Sequence, residues 1–300
     1  MWFKNLKLYS LTQDIDITEQ DLEDKLAEFK FRPCGSQELA TMGWGSPFNQ
    51  GKTLIHATAG RIWLTLKKQE RILPATVVNA ELADKVAQIE AETGSSVGKK
   101  AQQDMKQEII QRLLPQAFTK NSFTHGFIST RDKLVVVDSS ADGKAEAFLA
   151  MLRKAIGSLP VMPLARQSVQ IELTSWLKDD SAPKDIKILE EAELKALEED
   201  GAIVRVKNQD LYSDEIANHL EAGKLVQKIG IEWSETLNAI IQEDLSIKRL
   251  KFTDMIKEQN DDIPKDQMDA RLDANFALMS GEIVRFAERL KEIFNLTEEE

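Results

Sequence analysis

The chain has 300 residues, 42% of them hydrophobic and 30% charged, with a formal net charge of −11 and a pI near 5.0. This length predicts two domains or subdomains. The acidic balance argues against a protein that coats nucleic acid with its whole surface, but it leaves room for a localised cationic patch. Because no apolar run approaches 18 residues, the sequence predicts no membrane-spanning helix.

Cysteine and histidine are scarce in this sequence, which has only Cys34, His56, His125 and His219. A single cysteine cannot form an intrachain disulfide, and it suits the reducing cytoplasm. So few potential ligands argue against a structural zinc site. Residues 1–5 also lack the apolar stretch of a signal peptide. We therefore expect a cytoplasmic protein with no metal and no cofactor.

The spacing of apolar residues predicts mixed strands and helices in the first half of the chain. The strands fall at 2–10, 53–58, 61–68, 124–130 and 133–138, the helices at 18–30 and 142–156, and a loop at 31–44. Two apolar stripes predict a helical hairpin over 79–114, because Gly94 and Gly98 interrupt the helical pattern and Pro115 ends it. The tip of this hairpin carries Lys99 and Lys100.

The second half has a similar mixture of patterns. Strands are predicted at 168–173, 202–207, 224–233, 236–241, 246–252 and 272–278, and helices at 174–178, 189–199, 213–222 and from 280 onwards. The fold class is α+β, with largely antiparallel sheets, packed helices and a projecting helical hairpin. The predicted division is an N-terminal α+β subdomain of residues 1–78 and 115–165, the hairpin of 79–114, and a C-terminal α+β subdomain of 166–300.

Positive charge is unevenly distributed along the chain. Residues 61–170 carry a formal charge of +5, whereas residues 171–300 carry −14. Within that acidic part, the predicted strands still hold basic residues two or four apart, at Arg205 and Lys207, Lys224 and Lys228, and Arg249 and Lys251. Side chains two or four apart share one face of a strand. A cationic sheet face in a negative body predicts binding of a polyanion; the alternative is an ordinary polar face of a one-sided sheet.

Three short sequence features could indicate enzyme chemistry. Gly51-Lys52-Thr53 does not fit a P-loop, since five residues rather than four separate Gly45 from Gly51 and a strand follows. Glu193-Leu194-Lys195 matches the end of a metal-dependent nuclease motif, but that motif requires a strand, and a helix is predicted here. Cys34 has no apparent base beside it. The sequence therefore predicts a protein that is not an enzyme and has no catalytic residue.

Taken in order, several blocks of this sequence resemble the RdgC family of bacterial recombination-associated proteins. The first blocks are Trp2-Phe3-Lys4-Asn5-Leu6, Pro33-Cys34-Gly35-Ser36-Gln37, Met42-Gly43-Trp44, Ile72-Leu73-Pro74, Leu113-Leu114-Pro115 with Ala117-Phe118, and Leu152-Arg153-Lys154 with Gly157-Ser158-Leu159-Pro160. The later blocks are Glu191-Ala192-Glu193-Leu194-Lys195, Gln209-Asp210-Leu211, Asn218-His219 with Glu221-Ala222-Gly223-Lys224, and Lys248-Arg249-Leu250-Lys251-Phe252. Together they span almost the whole chain.

The resemblance implies a ring-shaped homodimer that encircles double-stranded DNA without sequence preference and restrains RecA-driven strand exchange, in the cytoplasm and on the nucleoid. Under this interpretation the cations lining the ring are Arg205, Lys207, Lys224, Lys228, Arg249 and Lys251. Lys99, Lys100 and Lys120 are further DNA-binding candidates. The expected dimer contacts include Leu113, Leu114 and Phe118. The alternative is a protein–protein adaptor whose acidic C-terminal half binds a basic partner, with DNA binding incidental.

Overall fold

The computed structural model describes residues 2–48, 51–198, 200–264 and 266–296. The first half of the chain begins with one strand and one helix and continues with a set of strands. Its strands are β1 Leu6–Leu11, β2 Ala40–Gly45, β3 Ile55–Thr58, β4 Arg61–Arg71, β5 Thr119–Ser129 and β6 Leu134–Asp138. Its helices are α1 Glu19–Ala27, α2 Ala75–Thr93, α3 Lys99–Leu113 and α4 Asp142–Ile156, and a 3₁₀ turn at Leu114–Gln116 follows α3.

The second half of the chain adds six strands and four helices among the described residues. The strands are β7 Val161–Pro163, β8 Ile186–Lys195, β9 Ile203–Lys207, β10 Leu225–Trp233, β11 Leu237–Gln242 and β12 Ile247–Phe252. The helices are α5 Gln170–Lys178, α6 Asp214–Glu221, α7 Asp254–Lys257 and α8 Met268–Ile293, and a 3₁₀ turn at Glu258–Asn260 follows α7. The predicted α+β class with largely antiparallel strands is confirmed.

All of these strands join one antiparallel sheet. Its order is β2-β4-β5-β6-β1-β12-β11-β10-β8-β9, with β3 also paired to β4 and β7 to β1. The centre of the sheet is a seam, because β1 meets β12 at a single register pair, Leu6 opposite Ile247. By contrast, β4 and β5 pair over ten positions, from Ile62 opposite Ile128 to Arg71 opposite Thr119. The two halves of the sheet are therefore joined by only a short ladder.

Two hydrophobic cores lie against this sheet. The first core draws on both halves of the chain, since Phe3, Trp63 and Phe127 pack with Phe276 and Phe286 of α8. The rings of Trp63 and Phe276 are stacked with their centroids 5.1 Å apart. Burial of such large aromatic surfaces is the main source of stabilisation here. The long helix α8 thus packs across both halves of the sheet.

The second core lies on the opposite face of the N-terminal strands. Leu22 and Leu26 of α1 and Phe148 of α4 cover this face, which carries Trp44 and Leu64. In the N-terminal half both faces of the sheet are therefore covered by helices. The apolar side of the C-terminal strands packs only into the first core, together with residues of α5, α6 and α8.

A buried lysine reinforces the seam. Lys7 on β1 is 8% exposed, and its Nζ donates to Asp244 Oδ2 at 3.1 Å and to Ser246 Oγ at 2.5 Å. It also forms an ion pair with Asp142 at the start of α4. Burial alone would lower the pKa of Lys7, but the hydrogen bonds to Asp142 and Asp244 outweigh it and raise the pKa. Lys7 therefore stays charged and links β1, α4 and the β11–β12 turn.

Helices α2 and α3 are consecutive and antiparallel. Lys85 of α2 pairs with Glu108 of α3 at 2.6 Å, and Glu81 pairs with Arg112. Gly94 ends α2 with a φ of 66°, a left-handed conformation that favours glycine at a helix end. Whether this pair forms the projecting hairpin expected from the sequence stays a prediction.

Four predicted elements are wrong. The predicted loop at 31–44 contains most of strand β2, which pairs with β4. The predicted helix at 189–199 is strand β8, paired with β10 and β9 on its two sides. The predicted strand at 168–173 belongs to helix α5, which buries Leu173, Trp176 and Leu177. The predicted strand at 272–278 is the first part of α8. In each case packing against the sheet overrides a local pattern.

Candidate nucleic-acid interface

The C-terminal strands present one covered and one exposed side. On β12, β11, β10, β8 and β9, alternate side chains enter the first core, and the others point to the opposite side, here called the open face. Outside the core, the charged residues on these strands are Lys187, Glu190, Glu191, Glu193, Lys195, Arg205, Lys207, Lys228, Glu232, Lys248, Arg249 and Lys251. The adjacent residues Glu190 and Glu191, and Lys248 and Arg249, lie where the strand register shifts. Among these described strand residues, eight are cations and four are carboxylates.

Glu193 lies at the centre of the open face, between two cations from neighbouring strands. Its Oε2 accepts from Arg205 Nε of β9 at 2.8 Å, and its Oε1 accepts from Lys228 Nζ of β10 at 2.8 Å. Burial alone would raise the pKa of Glu193, but the hydrogen bonds from Lys228 and Arg205 outweigh it and lower the pKa. Glu193 is therefore ionised at neutral pH.

Glu191 forms a similar pair of contacts two residues before Glu193 on β8. Its Oε1 lies 3.9 Å from Lys207 Nζ of β9 and also accepts a hydrogen bond from Arg249 Nη2 of β12. In the order of the sheet, β11 and β10 lie between β12 and β8. The contact of Arg249 with Glu191 therefore joins two strands that are not neighbours.

The six side chains of this cluster differ in exposure. The side chains of Arg205, Lys207 and Arg249 are 69%, 67% and 58% exposed, and that of Lys228 is 36% exposed, whereas those of Glu193 and Glu191 are 16% and 30% exposed. The two carboxylates thus form the floor of the face, and the cationic groups form its outer layer. Four cations surround two carboxylates, which leaves a formal excess of two positive charges at this cluster.

The sequence analysis did not anticipate the carboxylates that lie among the cations of the open face. Four of the six cations expected to bind DNA are paired with Glu191 or Glu193, which had been assigned to a helix. Lys251 is exposed, and no carboxylate of the described residues lies within 4 Å of its Nζ. Lys224 lies apart from the others, since its Nζ is 3.4 Å from His219 Nδ1 of α6, on the side that α6 covers.

The further DNA-binding candidates lie on other elements. Lys99 and Lys100 are exposed in the first turn of α3. Lys120 is exposed on β5, opposite Glu70. These three residues are therefore separate from the open face in the secondary structure, and a role in DNA binding stays a prediction for each.

Three cations of the open face were missed from the sequence, namely Lys187, Lys195 and Lys248. Burial, and then the charge of Lys7, lower the pKa of Lys248, whose Nζ donates to the Ser140 carbonyl. A period-two pattern was available for β8, because Ile186, Ile188, Ala192 and Leu194 are its inward positions. That period would have placed Glu191, Glu193 and Lys195 together on the opposite face.

The predicted helical placement of Glu193 and Lys195 is wrong. Both residues lie on strand β8, and a metal-dependent nuclease motif requires a strand at this position. However, both oxygens of Glu193 accept from cationic groups. Within the described ranges, no group of three or more His, Cys, Asp or Glu side chains is arranged to hold a metal ion. Cys34 is half-buried, with its Sγ 3.2 Å from the Gln69 carbonyl oxygen.

The expected dimer contacts differ in their accessibility. Leu114 is only 3% exposed and packs within its own chain, and its role in the dimer contact stays a prediction. Leu113 is half-buried, whereas Phe118 is 85% exposed. Ile72 and Leu39 are 47% and 60% exposed, and the backbone N–H of Ile72 donates to the Phe118 carbonyl at 2.7 Å. Leu39, Ile72 and Phe118 form an exposed surface, here called the apolar edge.

These observations define an α+β protein with one antiparallel sheet whose C-terminal half exposes a predominantly cationic face. No helix in the described ranges is long and apolar enough to cross a membrane. A family model described as "Putative exonuclease, RdgC" matches residues 1–297. The chain belongs to the RdgC family.

Curated relatives extend this comparison across the full chain. A recombination-associated protein RdgC of Pseudoalteromonas atlantica is 75% identical over 300 residues, which is 100% of both chains. Proteins of the same name from Aeromonas hydrophila and Enterobacter sp. are 45% and 42% identical, over 95% and 97% of each chain. The description of the family model names an exonuclease, whereas the names of the relatives refer to recombination. The two descriptions therefore point to different functions.

Proposed function

We propose that this protein binds double-stranded DNA without sequence preference through the open face, and acts in DNA recombination. The observation that carries this proposal is the predominantly positive charge of the open face. Although residues 171–300 have a formal charge of −14, the described strands of the open face carry eight cations against four carboxylates. Such a surface attracts the phosphate backbone while the acidic remainder of the molecule repels it.

Contacts of this kind position a protein on DNA without reading its sequence. Lysine and arginine side chains bind phosphate oxygens, and their affinity comes largely from the release of counterions from DNA. Binding is then nearly independent of sequence and falls steeply as salt rises. The side chains of Arg205, Lys207 and Lys251 are exposed, so their cationic groups are best placed to contact phosphates.

The ring-shaped homodimer is part of the same proposal. A closed ring of two subunits needs two contacts in each subunit, and a two-fold axis uses the same surface on both chains. The apolar edge supports one such contact, because three exposed apolar side chains in one place favour association. The antiparallel pair α2 and α3 would project as the hairpin beside it. A ring occupying duplex DNA would restrain RecA-driven strand exchange by limiting access to the duplex.

Fluorescence anisotropy with random-sequence duplexes at two salt concentrations tests the proposal. The double variant Lys207→Glu with Lys251→Glu should bind every duplex at least about tenfold more weakly, because it reverses two exposed charges on the open face. Lys224→Glu is the matched control, since Lys224 lies on the side covered by α6. A double variant that binds as well as this control would overturn the proposed interface. Failure of the wild type to bind at low salt would favour the adaptor alternative.

The description of the family model supports a second candidate, an exonuclease. The placement of Glu193 and Lys195 on strand β8 favours it, because both side chains then share one face. End-labelled duplex incubated with Mg²⁺ or Mn²⁺ separates the two functions. We expect intact DNA. Cleavage that disappears in Glu193→Gln would establish the exonuclease instead.

A further inference from the structure

We infer that Glu191 and Glu193 compete with DNA phosphates for the cations of the open face and thereby set the affinity for DNA. This inference rests on the proposed function and identifies side chains that limit the affinity for DNA. Each carboxylate contacts cations from two different strands, Glu193 with Arg205 and Lys228, and Glu191 with Lys207 and Arg249. A carboxylate is an acceptor for arginine and lysine in the same way as a phosphate is.

The depth of the carboxylates allows the competition to occur. Glu193 is 16% exposed and lies below Arg205, whose side chain is 69% exposed. A phosphate can approach Arg205 or Lys207 from solvent while the glutamate remains in place beneath. The cation then redistributes its hydrogen bonds between an internal and an external anion. Because the internal anion is always present, binding of each phosphate gains less free energy than it would at an unpaired cation.

A purely structural role explains this arrangement less well. Strands β8 and β9 are already paired by backbone hydrogen bonds from Glu191–Lys207 to Lys195–Ile203. Ion pairs between exposed side chains add little to stability. Moreover, the contact of Arg249 with Glu191 joins β12 to β8, which are not neighbours in the sheet, so it does not reinforce a strand pair. The main effect of the two carboxylates is to halve the net positive charge of the six-residue cluster.

The double variant Glu191→Gln with Glu193→Gln tests this inference. It retains the size of both side chains and raises the formal charge of the cluster by two. We expect it to bind random-sequence duplex roughly tenfold more tightly than the wild type at moderate salt, with a steeper dependence on salt concentration. The matched control is Glu172→Gln with Glu221→Gln, which removes the same charge from exposed residues of α5 and α6 that have no ion pair among the described residues. This control should change the affinity less than about threefold.

The outcomes separate the inference from the proposed function. If the wild type binds duplex and the double variant binds no more tightly than the control, the inference is wrong and the proposed function stands. If neither protein binds at low salt, the proposed function itself fails. Circular dichroism and thermal melting establish that each variant is folded. Should the double variant not fold, Glu193→Gln alone is measured, with an expected gain of about threefold over Glu172→Gln, and no gain would overturn the inference.

Discussion

The guanidinium group of Arg289 donates two hydrogen bonds to Asp185, from Nε to Oδ2 at 2.8 Å and from Nη2 to Oδ1 at 2.9 Å. Trp233 Nε1 donates to the same Oδ2 at 3.0 Å. These contacts tie α8 to the end of β10 and to the segment that enters β8. They therefore anchor the helix that covers the first core to the strands of the open face. The hydrogen bonds from Arg289, opposed by partial burial, lower the pKa of Asp185.

Asp185→Asn should reduce the free energy of unfolding by about 2 kcal/mol, because it replaces charge-assisted hydrogen bonds with weaker neutral ones. The wild-type contribution is present above the ordinary pKa of an aspartate and is lost as pH falls. Urea unfolding at neutral pH measures the difference. Glu292→Gln is the control, since Glu292 also accepts from Arg289 but is 66% exposed. If both substitutions reduce the free energy of unfolding equally, the contact of Arg289 with Asp185 contributes no more to stability than its contact with Glu292.

Lys7→Met should reduce the free energy of unfolding by about 1–2 kcal/mol, because Asp142 and Asp244 lose the buried cation that they share. The loss is smaller than for a deeply buried pair, since the side chains of these two carboxylates are 76% and 55% exposed and regain water. Hydrogen exchange should also become faster for backbone amides in β1 and β12. The exposed Lys4→Met is the control. Unchanged exchange at the seam would contradict this role of Lys7.

His125 should make stability depend on pH below neutrality. Its ring lies between Trp63 and Phe123, its Nδ1 is 2.9 Å from Thr65 Oγ1, and burial lowers its pKa from 6.5 to about 4. As pH falls below 6.5, the unfolded chain binds the proton first, so stability decreases until about pH 4. The expected decrease from this residue is roughly 3 kcal/mol.

Thermal or urea unfolding at pH 7, 5.5 and 4.5 measures this dependence on pH. Other groups titrate in the same range, so the comparison is with His125→Gln, whose stability should fall less steeply between pH 6.5 and 4.5. Parallel curves for the two proteins would show that His125 does not cause the decrease.

Phe118→Ser should weaken self-association without destabilising the fold, because the Phe118 side chain is 85% exposed in the single chain. If the apolar edge is a dimer contact, the dissociation constant should rise at least about tenfold. Sedimentation velocity over a range of protein concentrations measures it. Leu197→Ser is the matched control, since Leu197 is 74% exposed but lies beyond the end of β8. An unaltered dimer in Phe118→Ser would remove this residue from the interface.

Elements with strong local signals were predictable from the sequence. The helix predicted at 142–156 agrees with α4, because Ala145, Phe148, Leu149 and Leu152 form one buried stripe. Gly157 follows with a φ of 86°, a backbone conformation that favours glycine and ends the helix. The strands 202–207, 224–233, 236–241 and 246–252 were also predicted nearly correctly. Here the apolar pattern and the packing environment agree.

Strand β8 could not be recognised from local signals alone. Glutamate, leucine, alanine and lysine favour helices, and these residue types dominate the segment. In addition, β8 and β10 shift register between Ile229 and Ile231 and between Val226 and Lys228, which interrupts a simple alternation. The strand forms because β10 and β9 pair with it on both sides, a long-range effect that a local pattern does not contain.

The candidate site was therefore predicted only in part. Alternation along β9, β10 and β12 correctly grouped Arg205, Lys207, Lys228 and Lys251 on one face. The sequence did not predict Glu191 and Glu193 on this face, because strand β8 was predicted as a helix. Arg249 has a φ of 50°, and its contact with Glu191 depends on a backbone conformation and on an order of strands that spacing does not reveal.

The contact between the segment that precedes β1 and helix α8 has a consequence for biosynthesis. The backbone N–H of Phe3 donates to Met279 Sδ at 3.0 Å, across a sequence separation of 276 residues. At ribosomal rates of about 5–20 residues per second, the segment between them takes roughly 15–55 s to synthesise. Until α8 emerges from the ribosome, Leu6, Leu8, Trp63 and Phe127 lack their covering helix. The first core therefore closes only after nearly the whole chain has been synthesised.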